Sequence, residues 1–180
     1  MNEKLIQEII HAIDANRVTD LERSMVRIPS FTTEETPLAT FLADYLRGIG
    51  GGLEVSLQEV PLGSGKVSHN MIAKLPGSGG GKSLLFFGHM DHAPILGKDY
   101  ADEELRGWIH EPFEGTIEDG WLYGKGSQDE KGGIAGFIAA AEALVKAGVK
   151  LRGDVYFAGV QGHKRVSSGT LYMLSQGIEA

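Results

Sequence analysis

The sequence predicts an α/β fold: a mostly parallel sheet covered by helices in three layers. Two observations carry that expectation. Stretches with helical periodicity alternate with strand-like stretches along the chain. Two of the strand-like stretches, LLFF (84–87) and DVYFAGV (154–160), are apolar on both faces, as buried parallel strands are.

Taken in order, Leu5, Ile6, Ile9, Ile10 and Ile13 share one face of a helix over residues 3–15. Thr19 and Glu22 form a capping-box pattern ahead of Leu21, Met25 and Ile28, which predicts a second, short helix. Thr36 and Pro37 read as an N-cap and first helical position. Leu38, Phe41, Leu42, Tyr45 and Leu46 continue that stripe until Gly48 stops it. Leu53, Val55 and Leu57 alternate as a strand does. Residues 70–75 and 84–87 predict two more strands, the second central because both its faces are apolar. Asp119-Gly120 between Ile117 and Trp121 is a hairpin signal. After Gly132-Gly133, the positions Ile134, Phe137, Ile138, Ala141, Leu144 and Val145 recur at helical spacing until Gly148. A last buried strand follows at 154–160.

At 180 residues and 42% hydrophobic, the chain can build one ordinary core. Its 24 acidic residues outnumber 17 basic ones, giving a formal net charge of -7, so nucleic acid is excluded as the main partner. No apolar run reaches membrane-spanning length. The start, MNEKLIQEIIHAIDANR, is charged throughout and reads as neither signal nor transit peptide, which makes the cytoplasm the expected address. Without cysteine, any transition metal must rest on His, Asp and Glu.

PGSGGGKS (76–83) invites a nucleotide reading that fails twice. The phosphate-loop pattern needs glycine where Pro76 stands, and it must open a helix, whereas SLLFFG reads as a strand. A flexible connection between strands is the expectation.

In GHMDHAP (88–94), His89 and Asp91 arrive at the carboxyl end of a strand, where open α/β sheets gather ligands. Positions two apart in an extended segment point the same way. One could therefore ligate a metal while the other, a carboxylate, fixes the imidazole's tautomer. GHMDHAP resembles the first signature of the co-catalytic zinc peptidases, which include aminoacylase, acetylornithine deacetylase, succinyl-diaminopimelate desuccinylase and carnosinase-type dipeptidases. WIHEPFEGTIEDGWLYGKGSQDEKGGIAG (108–136) resembles the second, and RIPSFTTEE and HNMIAKLPG also fit.

That resemblance implies a zinc-exopeptidase-like fold and metal-assisted hydrolysis of an amide bond in a small N-acyl amino acid or short peptide. It implies two zinc ions, with His89 a ligand of one, Asp91 its supporting carboxylate and Asp129 the bridge between them. Carboxylate and neutral imidazole both suit zinc. From the residues alone, Asp129 also reads as an N-cap for the helix that follows.

The resemblance breaks at the third signature, a strand followed by paired glutamates that act as general base and zinc ligand. Here VYFAGV leads into QGHKRVSSGT, and residues 155–178 contain no Asp or Glu. One register puts His163 and Lys164 at the pair; another puts Gly162 and His163 there. His163 is thus a candidate base in the first and a candidate ligand in the second. The alternative is that both side chains lie on a solvated loop. The family's later ligands and inserted lid domain fall beyond Ala180. The resemblance therefore implies that residues 1–180 are a truncated, N-terminal portion of a catalytic domain, at most weakly metal-loaded, with a non-catalytic relative as the alternative. It also implies an open sheet edge and self-association. His92 is a minor candidate for touching metal or substrate, while His11, His69 and His110 are expected on the surface or in loops. Glu34 and Glu35 are expected to decorate a helix start.

Overall fold

The computed structural model describes residues 3–63, 65–93, 108–164 and 166–178. Three helices come first: α1 (Glu3–His11), α2 (Ala15–Val26) and α3 (Thr36–Ile49). Then follow β1 (Glu54–Pro61), β2 (Val67–Leu75), β3 (Leu84–His89) and the short pair β4 (Thr116–Glu118) and β5 (Trp121–Tyr123). A π-type turn (Ser127–Lys131) leads into α4 (Gly132–Lys146), and β6 (Val155–Val160) and α5 (Ser168–Ser175) complete the order.

Local chemistry explains where the boundaries moved from expectation. Asp14, not Thr19, opens α2: its carboxylate accepts from the backbone N–H of Asn16 and Arg17, while the Thr19 hydroxyl bonds back to the Ala15 carbonyl inside the helix. α3 ends at Gly50, whose positive φ suits glycine, two residues later than Gly48. The hairpin between β4 and β5 turns through Asp119 and Gly120, both at positive φ, as a tight two-residue connection requires.

The main sheet has the order β1-β2-β6-β3. Its α/β class is the expected one, but its pairing is mixed rather than mostly parallel. β1 pairs with β2, and β2 with β6, in antiparallel fashion; β3 and β6 are the parallel pair. The short link after Pro61, closed by Leu62 N–H to the Lys66 carbonyl at 2.8 Å, allows only antiparallel pairing. The helical crossover through α4 delivers β6 parallel to β3.

Alternation along the strands sorts the core into two clusters on either side of the sheet. Met71, Ala73 and Leu75 of β2 and Val155 and Phe157 of β6 pack against α2, α3 and α4 through Met25, Leu38, Leu42, Ile134 and Ile138. Ile72, Ala158 and Val160 form the other cluster with Met173 of α5. Each of these side chains larger than alanine contributes about 1.5–3 kcal/mol on burial. The LLFF segment sits at the edge of the described sheet rather than its centre: Leu84, Phe86 and Phe87 remain exposed, Phe87 at 54%. The glycine-rich segment after β2 is more than a loose connection. Gly77 N–H reaches the Asp154 carboxylate and Ser78 N–H the Leu151 carbonyl, both at 2.8 Å. A Cβ on Gly81 would stand 2.6 Å from the Gly153 nitrogen, so this close crossing needs glycine.

Candidate active site

The carboxyl end of β3 is crowded by the π-type turn. A Cβ on Gly88 would lie 2.8 Å from a Glu130 carboxylate oxygen and 3.1 Å from Ile134, so glycine lets the turn close over the strand. The Glu130 carboxylate in turn accepts the backbone N–H of His89. His89 is thereby fixed at the sheet margin, opposite Val160 of β6, with its ring almost wholly buried.

Both ring nitrogens of His89 face oxygen. Nδ1 lies 2.8 Å from the backbone carbonyl of Asp91, with that residue's carboxylate further away at 3.5 Å. A carbonyl can only accept, so Nδ1 carries a proton. Nε2 lies 2.8 Å from Oδ1 of Asp129. Burial disfavours charge on the ring, but the bonds to Asp91 and Asp129 outweigh it and raise the pKa above the ordinary histidine value.

Asp91 is buried and looks the other way, toward the residues after β6. Its carboxylate accepts from the Thr32 hydroxyl at 2.8 Å and from the backbone N–H of His163 and Lys164 at 3.0 Å each. Burial alone would raise its pKa; the bonds to His89, Lys164, Thr32 and His163 override that and hold it at about 2. Asp91 therefore anchors the 163–164 turn by its side chain while its backbone carbonyl orients His89.

That turn brings two side chains back over the site. The His163 ring stacks on His89, with centroids 4.5 Å apart and planes 10° from parallel, and its Nδ1 lies 3.4 Å from the Ser167 hydroxyl. The Lys164 ammonium donates to Oδ2 of Asp129 at 2.7 Å. This bond is the largest cause of a lowered Asp129 pKa. Asp129 does not cap α4; Lys131 holds the N-cap position, and the Asp129 carboxylate spans His89 and Lys164 instead.

Several flanking residues have partners that the sequence did not show. Glu35 is fully buried: its carboxylate accepts from the backbone N–H of Thr33 and Gly162, at 3.0 Å each, and from the Ser68 hydroxyl at 2.7 Å. It stands at the start of α3, as expected, in the N-cap position, and stitches α3, β2 and the turn after β6 together. Lys131 is buried beneath the site, donating to the carbonyls of Met25 and Ile28 at 2.9 Å; desolvation lowers its pKa to about 7. His92 is buried between Phe31 and Phe113 and takes the Ser30 N–H on Nε2 at 3.1 Å, so its ring nitrogens serve packing. His11 bonds the Gln7 carbonyl within its own helix, His69 lies in β2 with its Nδ1 on the Thr36 hydroxyl, and His110 meets Glu118. Pro94 of the first signature lies outside the described residues.

The model of peptidase family M20/M25/M40 matches residues 85–178, the stretch that holds His89, Asp91, Asp129 and the 163–164 turn. The chain belongs to that family. Among curated M20 relatives, the succinyl-diaminopimelate desuccinylase of Gluconacetobacter diazotrophicus is 37% identical over 136 residues, covering 75% of this chain and 32% of the relative. The chain thus spans about a third of the length of the curated relatives it matches. The solved dipeptidase Dug1p of Saccharomyces cerevisiae superposes with a TM-score of 0.77 at 18% identity, over 98% of this chain and 38% of that one. Human carnosine dipeptidase 1 gives a TM-score of 0.73 at 24% identity, over 97% and 37%. The fold is that of the M20 peptidases.

M20 is a metallopeptidase family. In kind, the imidazole of His89 and the carboxylate of Asp129 suit a zinc ion; in number they fall short of the three or four protein donors that hold one. Among the described residues no three His, Asp or Glu side chains converge as a metal site. The outer oxygen of Asp129 already carries an ammonium. As it stands, the donor set does not fit a zinc ion.

Proposed function

We propose that this chain forms part of an M20-type hydrolase that cleaves amide bonds in small N-acyl amino acids or short peptides, with zinc as the metal and the cytoplasm as its address. In this reading residues 1–180 are the N-terminal portion of the catalytic domain. The observation that carries it is the convergence of His89 Nε2 on the Asp129 carboxylate across 40 positions of sequence, inside the segment matched by the family. His89 and Asp129 are the proposed metal donors, and the remaining donors come from outside the described residues. Asp91 positions His89 through its carbonyl and the 163–164 turn through its carboxylate. His163, stacked on His89, is the described side chain best placed to act as a base or as a further ligand. The curated relatives are named for removing a succinyl group, and solved neighbours for dipeptide cleavage, which supports small amide substrates. Among the described residues no helix is long and apolar enough to cross a membrane.

A second reading, a relative that does not hydrolyse, is favoured by one observation: residues 155–178 bring no carboxylate to the site. Elemental analysis of purified protein, paired with an assay of N-acyl amino acids and dipeptides, separates the two. The hydrolase reading expects zinc that disappears in His89→Ala and turnover that a chelator abolishes. Zinc-free protein with no turnover on the panel supports the second reading.

A further inference from the structure

A cavity of about 650 Å³ opens between the link that joins β1 to β2 and the segment that leads into α5. Three side chains with protons to give line it: Lys66 ahead of β2, Thr33 ahead of α3 and Ser168 at the start of α5. The Ser168 oxygen takes the Gln161 side-chain N–H at 2.8 Å, which leaves the hydroxyl hydrogen to be donated elsewhere. Among the described residues neither the Lys66 ammonium nor the Thr33 hydroxyl has a hydrogen-bond or ion-pair partner. Pro61, Leu62 and Val166 supply the apolar part of the wall. No carboxylate belongs to the described lining, although the chain carries a net charge of -7. The neighbouring Glu35 carboxylate is buried and already takes the N–H groups of Thr33 and Gly162 and the Ser68 hydroxyl, so it consumes none of the three donors. Two residues of the lining are also held in the left-handed region, Thr33 at φ 80° and Val166 at φ 55°. That region is uncommon for β-branched side chains and persists only where the surrounding structure enforces it.

We propose that this cavity is a binding site for a small organic monocarboxylate with a short apolar body. One ammonium balances one negative charge, and two hydroxyls add donors to a group that accepts several bonds. The apolar wall then covers the hydrocarbon of the ligand, and the volume falls in the range of small-molecule sites. A phosphate would bring more charge than one lysine offsets, and nothing for Pro61, Leu62 and Val166 to cover. The inference rests on this lining alone and needs neither a metal nor hydrolysis. The same segments do run into the candidate active site. Thr32, beside Thr33, donates to Asp91, and so does the backbone of His163 in the turn that leads to Ser168. A ligand seated here therefore lies against the segments that hold that carboxylate.

The test is a titration of the isotope-labelled chain with hexanoate, followed by NMR, with hexanamide and inorganic phosphate as comparison probes. Saturable shifts are expected at the backbone amides of Leu62, Lys66 and Ser168 with hexanoate, and none with hexanamide or phosphate at equal concentration. Lys66→Met is expected to weaken hexanoate binding roughly three- to tenfold, whereas Lys66→Arg keeps the cation and the affinity. Val166→Asp places an acid that the left-handed backbone tolerates in the wall, and is expected to abolish binding by repulsion. The two variants lie on separate segments, so if circular dichroism shows that one does not fold, the other still decides. Lys82→Met, which removes a cation outside the lining, is expected to bind as wild type does. Hexanamide binding as well as hexanoate overturns the anion site, as do saturable shifts that persist unchanged in Lys66→Met and Val166→Asp. Phosphate displacing hexanoate at equal concentration overturns the monocarboxylate assignment, and absence of saturable shifts overturns the site altogether. Because hexanoate has no amide bond, each of these results is separate from the hydrolase reading.

Discussion

His92 shows how a single side chain beside the site adds pH sensitivity without entering the chemistry. Its ring is buried against Phe31 and Phe113, and Nε2 accepts the Ser30 N–H, which only the neutral form can do. Burial first, then the nearby charge of Lys131, with a smaller contribution from Lys125, depresses its pKa to about 4; the bond to the Ala93 carbonyl opposes this, and Asp91 more weakly still. In the unfolded chain the ring protonates near 6.5, so between those values the unfolded state binds more protons. Stability from this group is complete above about pH 6.5 and is lost as the pH falls toward 4, by up to about 3 kcal/mol. Denaturant melts of wild type and His92→Gln between pH 7 and 4 are expected to diverge, the variant having the shallower acid limb; superimposable limbs would remove His92 from the account. At this scale the sequence was informative where a residue type carried its own chemistry in a short motif, as with His89, Asp91 and Asp129. It did not show the partners of Glu35 and Lys164, because those partners are supplied only by tertiary packing.

Elements were legible where periodicity is long. The helix after Gly132-Gly133, the hairpin at Asp119-Gly120 and the last strand all fall within a residue or so of expectation. Sheet position was not legible, because an apolar strand reads alike whether it lies at the centre or at an edge awaiting cover. The approach of α5 to the sheet was equally hidden. It depends on Gly169, where a Cβ would come within 2.5 Å of both Asn70 Oδ1 and the Gln161 carbonyl and 2.7 Å of the Gln161 nitrogen. Two of those atoms are backbone and cannot rotate away. Gly169→Ala is expected to cost about 1–3 kcal/mol in chemical denaturation. Gly133→Ala in α4, where an added Cβ meets nothing within 4 Å, is expected to be neutral or to stabilise by up to about 1 kcal/mol. Equal effects from the two substitutions would contradict this packing.

For the molecule as a whole, the described sheet leaves an apolar margin. Leu84, Phe86 and Phe87 of β3 are exposed, and among the described strands β3 pairs with β6 alone. Exposed apolar strands at a sheet edge favour edge-to-edge association. Sedimentation of the 180-residue chain is expected to show concentration-dependent self-association that Phe87→Lys reduces; a monodisperse wild-type monomer would remove that expectation.

The spacing of Asp91 from its partners bears on how the protein is made. Its backbone donors, His163 and Lys164, lie 72 and 73 positions further along the chain. A polypeptide emerging from the ribosome therefore carries this carboxylate for most of a hundred residues before either amide exists to receive it. During that interval only Thr32 and His89 of the set are already synthesised, and the region around β3 stays unfinished until β6 has docked. Translation pauses placed before residue 163 would hold the nascent chain in that state.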